Sequence, residues 1–509
     1  MNTIKKNIVA NYAGNIWQSL MGIAFVPLYI KFMGIESYGL VGIFAILQAM
    51  FAILDMGIGI TLTREMARLS ALPNKAQEMR DLLRSLEMVN WGVAIIIGSI
   101  VVAMAPFIAH HWIKPGQLSP FLIERAIIIM GLCMAFQWPG SFYSGGLNGL
   151  QKQVSLNVIN AGVSTLRGVG AIGILWLVSP TIQAFFLWQA VISVLGTFCL
   201  GFFLWHQLPQ ASGRAVVRKE LLAGIWKFAA GMSGMSILGM ILSQLDKIIL
   251  SKILPLEVFG YYALAGTVAV TLYRLVGPVY SAVYPRITQL ISIGDQQGLK
   301  ELYHKSCQLM SVLILPVAVV IAVFSFEILL LWTHNSLIAQ KAHLLLSVLM
   351  LGTALSGLMN IPAGLLYAHG RVKLGVYTNV IGVIFLVPLI FFLTKRYGAL
   401  GGASAWVILN SGYVFIVVPL IHKRFLPNEN RHWYIQDTGF PFIASVVLAG
   451  VGRIFITNTM SKPVMILSIM AVSIISFGGA VMATSTTRSW LLNNLSKKKM
   501  RFELAGKNA

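Results

Sequence analysis

Two stretches of the chain, KFMGIESYGLVG at residues 31–42 and KILPLEVFGYYA at residues 252–263, share a pattern of charged and small residues. The residues in common are Lys31 and Lys252, Glu36 and Glu257, and Gly39 and Gly260. Each pair is separated by the same 221 positions. Because self-similarity at a fixed offset is the signature of a repeated structural unit, these stretches indicate that one half of the chain repeats the other.

Further pairs at nearly the same separation extend the repeat towards the C-terminus of each half. They are Gly57 and Gly277, Arg64 and Arg286, Lys152 and Arg371, Asn160 and Asn379, and Trp188 and Trp406. A nearly constant offset over such a distance is difficult to obtain by chance. We therefore interpret residues 1–210 and 211–436 as two lobes that are copies of one helical bundle.

The composition is that of an integral membrane protein. Of its 509 residues, 57% are hydrophobic and only 11% are charged, whereas soluble domains carry about 25% charged residues. Cys133, Cys199 and Cys307 lie in apolar segments and have no disulfide or metal spacing. We interpret the N-terminal apolar run after Lys5 and Lys6 as a retained first span and not as a cleaved signal peptide.

Apolar runs long enough to cross a bilayer recur along the whole chain. The predicted spans are 9–30, 38–62, 86–109, 122–146, 156–178, 182–206, 228–251, 258–284, 306–331, 343–368, 375–394, 401–421, 440–457 and 464–484. The sequence thus predicts an all-α integral membrane protein of about fourteen helices. Two six-helix lobes are followed by two extra helices in 437–485 and a basic tail in 486–509.

The basic residues indicate the orientation in the membrane. Most of the 38 Lys and Arg residues fall on the side that both termini share, so the positive-inside rule places both termini in the cytoplasm. This bias, together with attraction to anionic lipid head groups, accounts for the net charge of +22 without a nucleic-acid partner. Because each lobe has an even number of spans, the lobes should be related by an axis along the membrane normal, around a central cavity.

Polar residues recur on single faces of several predicted spans. The first span carries Asn11, Asn15 and Gln18, and the fifth carries Asn157, Asn160 and Arg167. Spacings of three, four and seven place such residues in a stripe on one helical face. A stripe can serve as hydrogen-bonding contact between helices or can line a hydrated cavity. The number of stripes, and the charges within them, favour the cavity.

The charges within the spans indicate the sign of that cavity. Arg167, Lys247 and Arg274 lie within predicted spans, against Asp55 and Asp246. This modestly basic balance suits an anion such as phosphate, which arginine binds well. A pore for organic cations should show the opposite balance.

Asp246 and Lys247 are adjacent within an otherwise apolar span. Neighbouring helical residues point about 100° apart and cannot simply neutralise each other, and a charge at the centre of a bilayer costs at least ~2.5–3.5 kcal/mol. We expect Lys247 to meet an anionic group while Asp246 partners another helix or exchanges a proton. The alternative is a snorkelling lysine and a hydrogen-bonded aspartate without a role in transport.

Two motifs resemble those of a known family. AILDMGIGITLTREMAR at 52–68 and SQLDKIILSKILPLEVFGYYALA at 243–265 are similar to segments of the O-antigen flippases (Wzx). These belong to the multidrug/oligosaccharidyl-lipid/polysaccharide exporter superfamily. The resemblance covers nearly the full length. The positions that it carries over are Asp55, Gly57, Gly59, Arg64, Asp246, Lys247, Glu257 and Gly260.

The resemblance implies a cargo and a location. The cargo would be a short glycan on undecaprenyl pyrophosphate, turned from the cytoplasmic to the periplasmic leaflet of the bacterial inner membrane. The partners would be this glycan lipid, membrane lipid and other O-antigen assembly proteins. A flippase for a different glycan lipid and a cation- or proton-coupled multidrug antiporter on the same fold remain alternatives.

An enzyme is disfavoured by the sequence. A glycan polymerase or ligase needs a site on a sizeable outer loop, and every predicted connection is short. There is no nucleotide-binding loop, and the adjacent His110 and His111 lack carboxylate or cysteine companions nearby in the sequence. We therefore expect no catalytic residues, no metal and no cofactor.

A gate is predicted from the repeat together with the charges. Asp55 and Arg274 differ by 219 positions and are therefore nearly equivalent in the two lobes. Both lie about 24–26 Å from the outer face at 1.5 Å per residue. We expect them to pair when the cytoplasmic side closes, with Arg64 nearby. The alternative is that each charge meets water or a phosphate separately.

Overall fold

The structure is a computed structural model that describes residues 3–52, 57–211, 213–218, 241–457, 460–485 and 487–489. Its helices are α1 (Thr3–Ala24), α2 (Val26–Ala52), α3 (Ile58–Ser70), α4 (Ala76–Phe107), α5 (Pro120–Gly149), α6 (Gln153–Leu177), α7 (Ile182–Gln207), α8 (241–253), α9 (Leu256–Val270), α10 (Tyr273–Ser292), α11 (Gln296–Val323), α12 (Ser325–Thr333), α13 (Ser336–Leu358), α14 (Asn360–Ala368), α15 (Val372–Gly412), α16 (Val418–Phe425), α17 (Asn430–His432), α18 (Phe440–Phe455) and α19 (Lys462–Ala483). Short π-helical turns cover Ile108–Trp112, Tyr413–Val417 and Trp433–Gly439. The predicted all-α fold is confirmed.

Eleven of the described helical stretches are long and apolar enough to cross a membrane. One of them, Lys373–Phe425, is 53 residues long and is interrupted at Gly398, whose backbone has φ 59° and ψ −142°. That conformation is open to glycine but strained for other residues, so the stretch comprises two spans. With α1 and α8 added, the helices fit the predicted fourteen spans. The chain is a multi-pass membrane protein.

The described chain divides into two compact units, Met1–Ala263 and Leu264–Ala509. In the first unit, α5 is the central helix and packs against α3, α4 and α7, while α1 packs along α6. Its apolar core includes Leu62, Leu83, Phe142 and Leu204, all fully buried. In a membrane, this interior is the part of the unit that is withdrawn from lipid.

In the second unit, α11 is the central helix. It packs against α13, α18 and α19. Of the residues in its apolar membrane-spanning stretch, 67% are buried, against 22% in that of α19. Phe324, Val320 and Ala449 belong to the core cluster that joins α18 and α19 to α11. The two extra C-terminal helices are therefore built onto the second unit. The lobe boundary at 210/211 stays a prediction, because residues 219–240 lie outside the described residues.

The predicted span 258–284 is divided in the structure. Helix α9 ends at Val270, and α10 begins at Tyr273. Thr271 and Leu272 donate their backbone N–H groups to the carbonyl oxygens of Val268 and Ala269. These bonds reach back three residues in place of four, which tightens the turn and separates α9 from α10. Arg274 lies directly after this break.

The repeated glycines form a close crossing between α2 and α9 in the first unit. A Cβ atom at Gly39 would lie 2.6 Å from the carbonyl oxygen of Leu256, and one at Gly260 would lie 2.3 Å from that of Ile35. Ile35 and Leu256 are themselves separated by 221 positions. The two contacts are therefore equivalent under the repeat, and glycine is required because each opposing atom belongs to a backbone.

We predict that Gly260→Ala destabilises the folded protein by about 1–3 kcal/mol, the usual penalty for overpacking a tight site. Gly266→Ala is the matched control, because it lies on the same helix and its new Cβ would meet no atom within 4 Å. Thermal unfolding of the two purified variants in detergent measures the difference. Equal midpoints for both variants would show that the crossing does not constrain residue 260.

Candidate functional site

Arg167 on α6 is the predicted substrate residue in the most confined position. Its side chain is half-buried, and Nη2 donates to Ser193 Oγ on α7 at 3.4 Å. Its Nε is buried and has no hydrogen-bond partner among the described residues. Tyr29 and Cys133 are close enough to interact with it electrostatically. At least one N–H group of the guanidinium is therefore unsatisfied by the described residues.

The polar stripes of α1 and α6 partly contact each other. Asn157 Nδ2 donates to Asn11 Oδ1 at 2.6 Å, and Trp17 Nε1 donates to Thr165 Oγ1 at 2.8 Å. Gln18 Nε2 donates to the Gly14 carbonyl oxygen at 3.2 Å within α1. The two bonds between α1 and α6 match the interhelical contact that is the alternative to a cavity lining.

Not every member of the stripes is used in this way. Asn15 is exposed and accepts, through its carbonyl oxygen, a hydrogen bond from Ser19. Asn160 is half-buried on α6. The prediction that Asn11, Asn15, Gln18, Asn157 and Asn160 line a cavity stays a prediction.

Asp246 and Lys247 have different surroundings on α8. Asp246 is 4% exposed and accepts a hydrogen bond at 2.5 Å from the Tyr262 hydroxyl of α9. Its Oδ1 has no partner among the described residues. Lys247 is half-buried and donates to Gln244 Oε1 at 3.0 Å. The aspartate thus contacts a neighbouring helix, whereas the ammonium group bonds along its own helix.

Among the predicted gate residues, Arg64 pairs with Glu65. Its Nη2 lies 2.7 Å from Glu65 Oε1, and Arg68 Nε lies 2.8 Å from Glu65 Oε2. Burial acts to raise the pKa of the Glu65 carboxyl, but the hydrogen bonds from both arginines outweigh it and hold that pKa below its usual value. Arg64 is thus part of an ion-pair cluster at the end of α3.

The proposed contact of Asp55 with Arg274 is untested, because Asp55 lies outside the described residues. Arg274 is exposed at the start of α10. Within the described part of the chain, Arg167, Lys247 and Arg274 have no carboxylate within ion-pair distance, in contrast to Arg64, Arg84 and Arg453.

Several contacts tie the segment around Lys114 to the connection between α8 and α9. Lys114 Nζ donates to the Ile253 carbonyl oxygen at 2.9 Å, and the Lys114 carbonyl oxygen accepts from Leu256 N at 2.9 Å. Trp112 Nε1 donates to Ser251 Oγ at 3.0 Å. These contacts lie at the same end of the first unit as the α2–α9 crossing, the end that is predicted to face the periplasm.

Glu36 is one of the repeated residues to which the sequence assigned no role. It makes further contacts at this end of the first unit. Its carboxylate accepts hydrogen bonds from the backbone N–H groups of Gly116 at 2.7 Å and Gln117 at 2.9 Å. The loop before α5 is thereby fixed against α2. Its repeat partner Glu257 has a different contact, a hydrogen bond from the Tyr261 hydroxyl at 3.1 Å.

Sequence reasoning missed the buried polar groups on α4 and in the second unit. Glu87 accepts from the Tyr143 hydroxyl at 2.6 Å and from Trp205 Nε1 at 3.2 Å. In the second unit, His304 and Asp437 are hydrogen-bonded although they are 133 positions apart. No short-range spacing marks partners that distant in the chain, so only the fold could reveal them.

Comparison with known proteins agrees with this architecture. Residues 4–291 match the family model described as polysaccharide biosynthesis protein, and residues 232–392 match the MatE model. A Shigella flexneri protein whose name assigns it to O-antigen transport is 22% identical over 407 residues, which cover 80% of this chain and 94% of that protein.

Two solved structures resemble the fold. The lipid II flippase MurJ in an inward closed conformation superposes with a TM-score of 0.69 at 15% identity, covering 94% of this chain and 98% of MurJ. An inward-facing multidrug resistance MATE family transporter of the MOP superfamily gives 0.62 at 14% identity, with coverages of 81% and 94%.

These matches define a membrane transporter with the multidrug/oligosaccharidyl-lipid/polysaccharide exporter fold, and not an enzyme. Because the first family model covers more than half of its length, the chain belongs to the polysaccharide biosynthesis protein family. The family resemblance inferred from the two sequence motifs is confirmed.

We predict that Tyr262→Phe destabilises the protein by about 1–3 kcal/mol, because it leaves a buried carboxylate without its donor. Tyr261→Phe is the matched control, since its partner Glu257 is exposed and can bind water when the bond is lost. Thermal unfolding in detergent checks both variants. If Tyr261→Phe lowers the midpoint as much as Tyr262→Phe, the bond to Asp246 has no special weight.

Proposed function

We propose that this protein is a flippase that moves an undecaprenyl-pyrophosphate-linked oligosaccharide, the O-antigen repeat unit, from the cytoplasmic to the periplasmic leaflet. It would lie in the bacterial inner membrane with both termini in the cytoplasm. Membership of the polysaccharide biosynthesis family supports a glycan cargo. The observation that carries the proposal is the guanidinium of Arg167, held among membrane helices with no carboxylate partner among the described residues.

The chemistry of the head group fits this guanidinium. Leaving a cation unpaired within a bilayer costs at least ~2.5–3.5 kcal/mol. An anion that binds to this cation offsets part of that free-energy cost. A pyrophosphate diester offers several acceptor oxygens and about two negative charges. Arginine binds such groups through parallel N–H donors, and hydrogen bonds to charged groups contribute roughly 1.5–3 kcal/mol each. Lys247 and Arg274 would serve the same anion along its path.

Transport would proceed by alternating access. The α2–α9 crossing and the Lys114 contacts support a state closed at the predicted periplasmic end. For the head group to leave on that side, these contacts have to separate. Asp55 with Arg274, and the cluster at Arg64, are proposed to close the opposite side in turn. Asp246 would hold α8 to α9 or exchange a proton.

The energy can come from the membrane potential. Two negative charges that move outward across roughly 150 mV release about 7 kcal/mol, at ~2.3 kcal/mol per charge per 100 mV. Transport should therefore continue when ATP is depleted and stop when the potential and ion gradients are collapsed. Lipid-linked glycan reaching the outer leaflet of fully uncoupled vesicles would contradict this energy source.

The decisive variant is Arg167→Gln, expressed in a strain that lacks the chromosomal gene. We expect at least a tenfold loss of surface O-antigen and accumulation of lipid-linked repeat units inside, because the neutral amide cannot bind the pyrophosphate. Arg167→Lys should recover part of the activity, since it retains the charge without the planar fork. Gel analysis of surface polysaccharide and extraction of lipid-linked glycan measure both effects.

Arg396→Gln is the matched control, because Arg396 is an exposed arginine in the middle of α15. It should leave surface glycan unchanged. All variants are compared at equal membrane abundance and at low expression. Full export by Arg167→Gln under these conditions would refute the proposed head-group contact.

A cation- or proton-coupled multidrug antiporter is the second candidate. The match of residues 232–392 to the MatE model favours it, as does the unpartnered Oδ1 of the buried Asp246. This function predicts resistance to cationic dyes upon overexpression and its loss in Asp246→Asn. Unchanged dye accumulation together with loss of O-antigen on deletion would exclude the antiporter and retain the flippase.

A further inference from the structure

Two histidines and an aspartate come together in the second unit, and none of them is among the residues proposed to handle the glycan lipid. His304 belongs to α11, His432 ends α17, and Asp437 lies in the π-helical turn before α18. One potential ligand atom from each residue lies within 4.8 Å of the other two. Imidazole nitrogen and carboxylate oxygen are the donors that zinc-class ions prefer.

The π-helical turn Trp433–Gly439 creates this arrangement. In an α-helix, residues five apart point about 140° away from each other. Backbone bonds from residue i to i+5 widen the turn and bring such residues towards one face. His432 and Asp437 are five apart, and their side chains approach to 3.5 Å between Nε2 and Oδ1. Turns of this kind occur frequently at functional sites.

The three groups are placed as a site and not as a surface cluster. Asp437 is fully buried, the His304 side chain is 8% exposed, and that of His432 is 35% exposed. His304 Nδ1 lies 2.5 Å from Asp437 Oδ2, and Gln308 Nε2 donates to Asp437 Oδ1 at 3.0 Å. The carboxylate is thus held from two sides, while the half-open His432 leaves a route from solvent.

The surrounding groups have the arrangement expected around a metal ligand. His304 Nε2 lies 3.0 Å from Glu429 Oε2, and Lys300 Nζ lies 2.5 Å from Glu429 Oε1. A metal-bound histidine commonly donates its other ring N–H to a carboxylate, which fixes the tautomer and orients the ring. With His304 Nδ1 as the ligand atom, Glu429 fulfils this role and Lys300 holds Glu429.

We propose that His304, His432 and Asp437 bind a divalent transition-metal ion of the zinc class, with Glu429 as the carboxylate that orients His304. Zinc bonds nitrogen and oxygen at about 2.0–2.2 Å, so neighbouring ligand atoms in a tetrahedron lie about 3.4 Å apart. His432 Nε2 and Asp437 Oδ1 already have this separation at 3.5 Å. His304 Nδ1 lies 2.5 Å from the other carboxylate oxygen, Oδ2, so ion binding requires these two atoms to separate by about 1 Å.

Such an ion would fasten α11, the central helix of the second unit, to the junction of α17 and α18. The competing interpretation is a metal-free hydrogen-bond network in which His304 lies between two carboxylates. The two interpretations differ in one measurable property, which is whether the folded protein binds one metal ion per chain through these side chains.

The test uses the full-length protein, purified in detergent and stripped with a chelator. Zn²⁺ is titrated in competition with a chromophoric indicator, and Co²⁺ is added separately because histidine-bound Co²⁺ absorbs visible light. We expect one ion per chain and a rise in the thermal midpoint when Zn²⁺ is added. His304→Gln and Asp437→Asn should lower the affinity at least 100-fold, and Glu429→Gln about 10–100-fold.

Two further variants keep the test decisive. His432→Ala removes the most exposed ligand and should abolish binding even if a more buried substitution disturbs folding. A double His110→Ala, His111→Ala variant is the control for adventitious binding, because His110 lies 3.3 Å from Glu124 at another histidine pair. Absence of a stoichiometric ion, binding unchanged in His432→Ala and His304→Gln, or binding lost only in the double variant would each overturn the proposal.

Discussion

The absence of water in the hydrocarbon interior of a membrane is the constraint on which this structure depends. Backbone N–H and C=O groups have to be satisfied within each segment, so the spanning parts are helices. Since lipid is as apolar as leucine, the helices gain little from burying apolar side chains against each other and rely on close packing and polar contacts. The crossing of Gly39 and Gly260 and the Asn11–Asn157 bond are the two kinds of contact that this environment favours.

The same constraint separates the charged residues into two groups. One group of arginines is paired with carboxylates, as in Arg64 with Glu65 and Arg84 with Glu87. In both pairs the guanidinium is exposed and the carboxylate is buried, so the arginine offsets part of the cost of keeping a buried negative charge. Within a span an unpaired cation is costly, and stability alone gives no reason to retain Arg167 there. In the proposed function an anionic ligand provides that reason, and we therefore assign this arginine more functional weight than the many basic residues outside the spans.

How much could be read from the sequence depends on the range of the interaction involved. The spans follow from the lengths of apolar runs, and the constant offset of the repeat is enough to place Gly39 and Gly260 at equivalent positions. The lengths of the apolar runs contain no signal for the break at Thr271–Leu272 or for the π-helical turn at Trp433, so the spans alone could not reveal them. His304 and Asp437 meet across 133 positions, and their pairing requires the fold. Periodicity places the stripes of α1 and α6 on single helical faces, but it cannot distinguish mutual contact from a cavity lining.

The repeat preserves the helix packing but not the charged residues within the spans. The packing is symmetric, because Gly39 approaches Leu256 as Gly260 approaches Ile35. The charged residues are not repeated. Arg167 corresponds to the buried Leu386 at an offset of 219. Asp246 and Lys247 correspond to Phe25 and Val26 at an offset of 221. The proposed cargo is an amphiphile with its charge at one end, so a single asymmetric set of charged groups suffices to bind it, and a second set would leave costly cations in the membrane without a ligand.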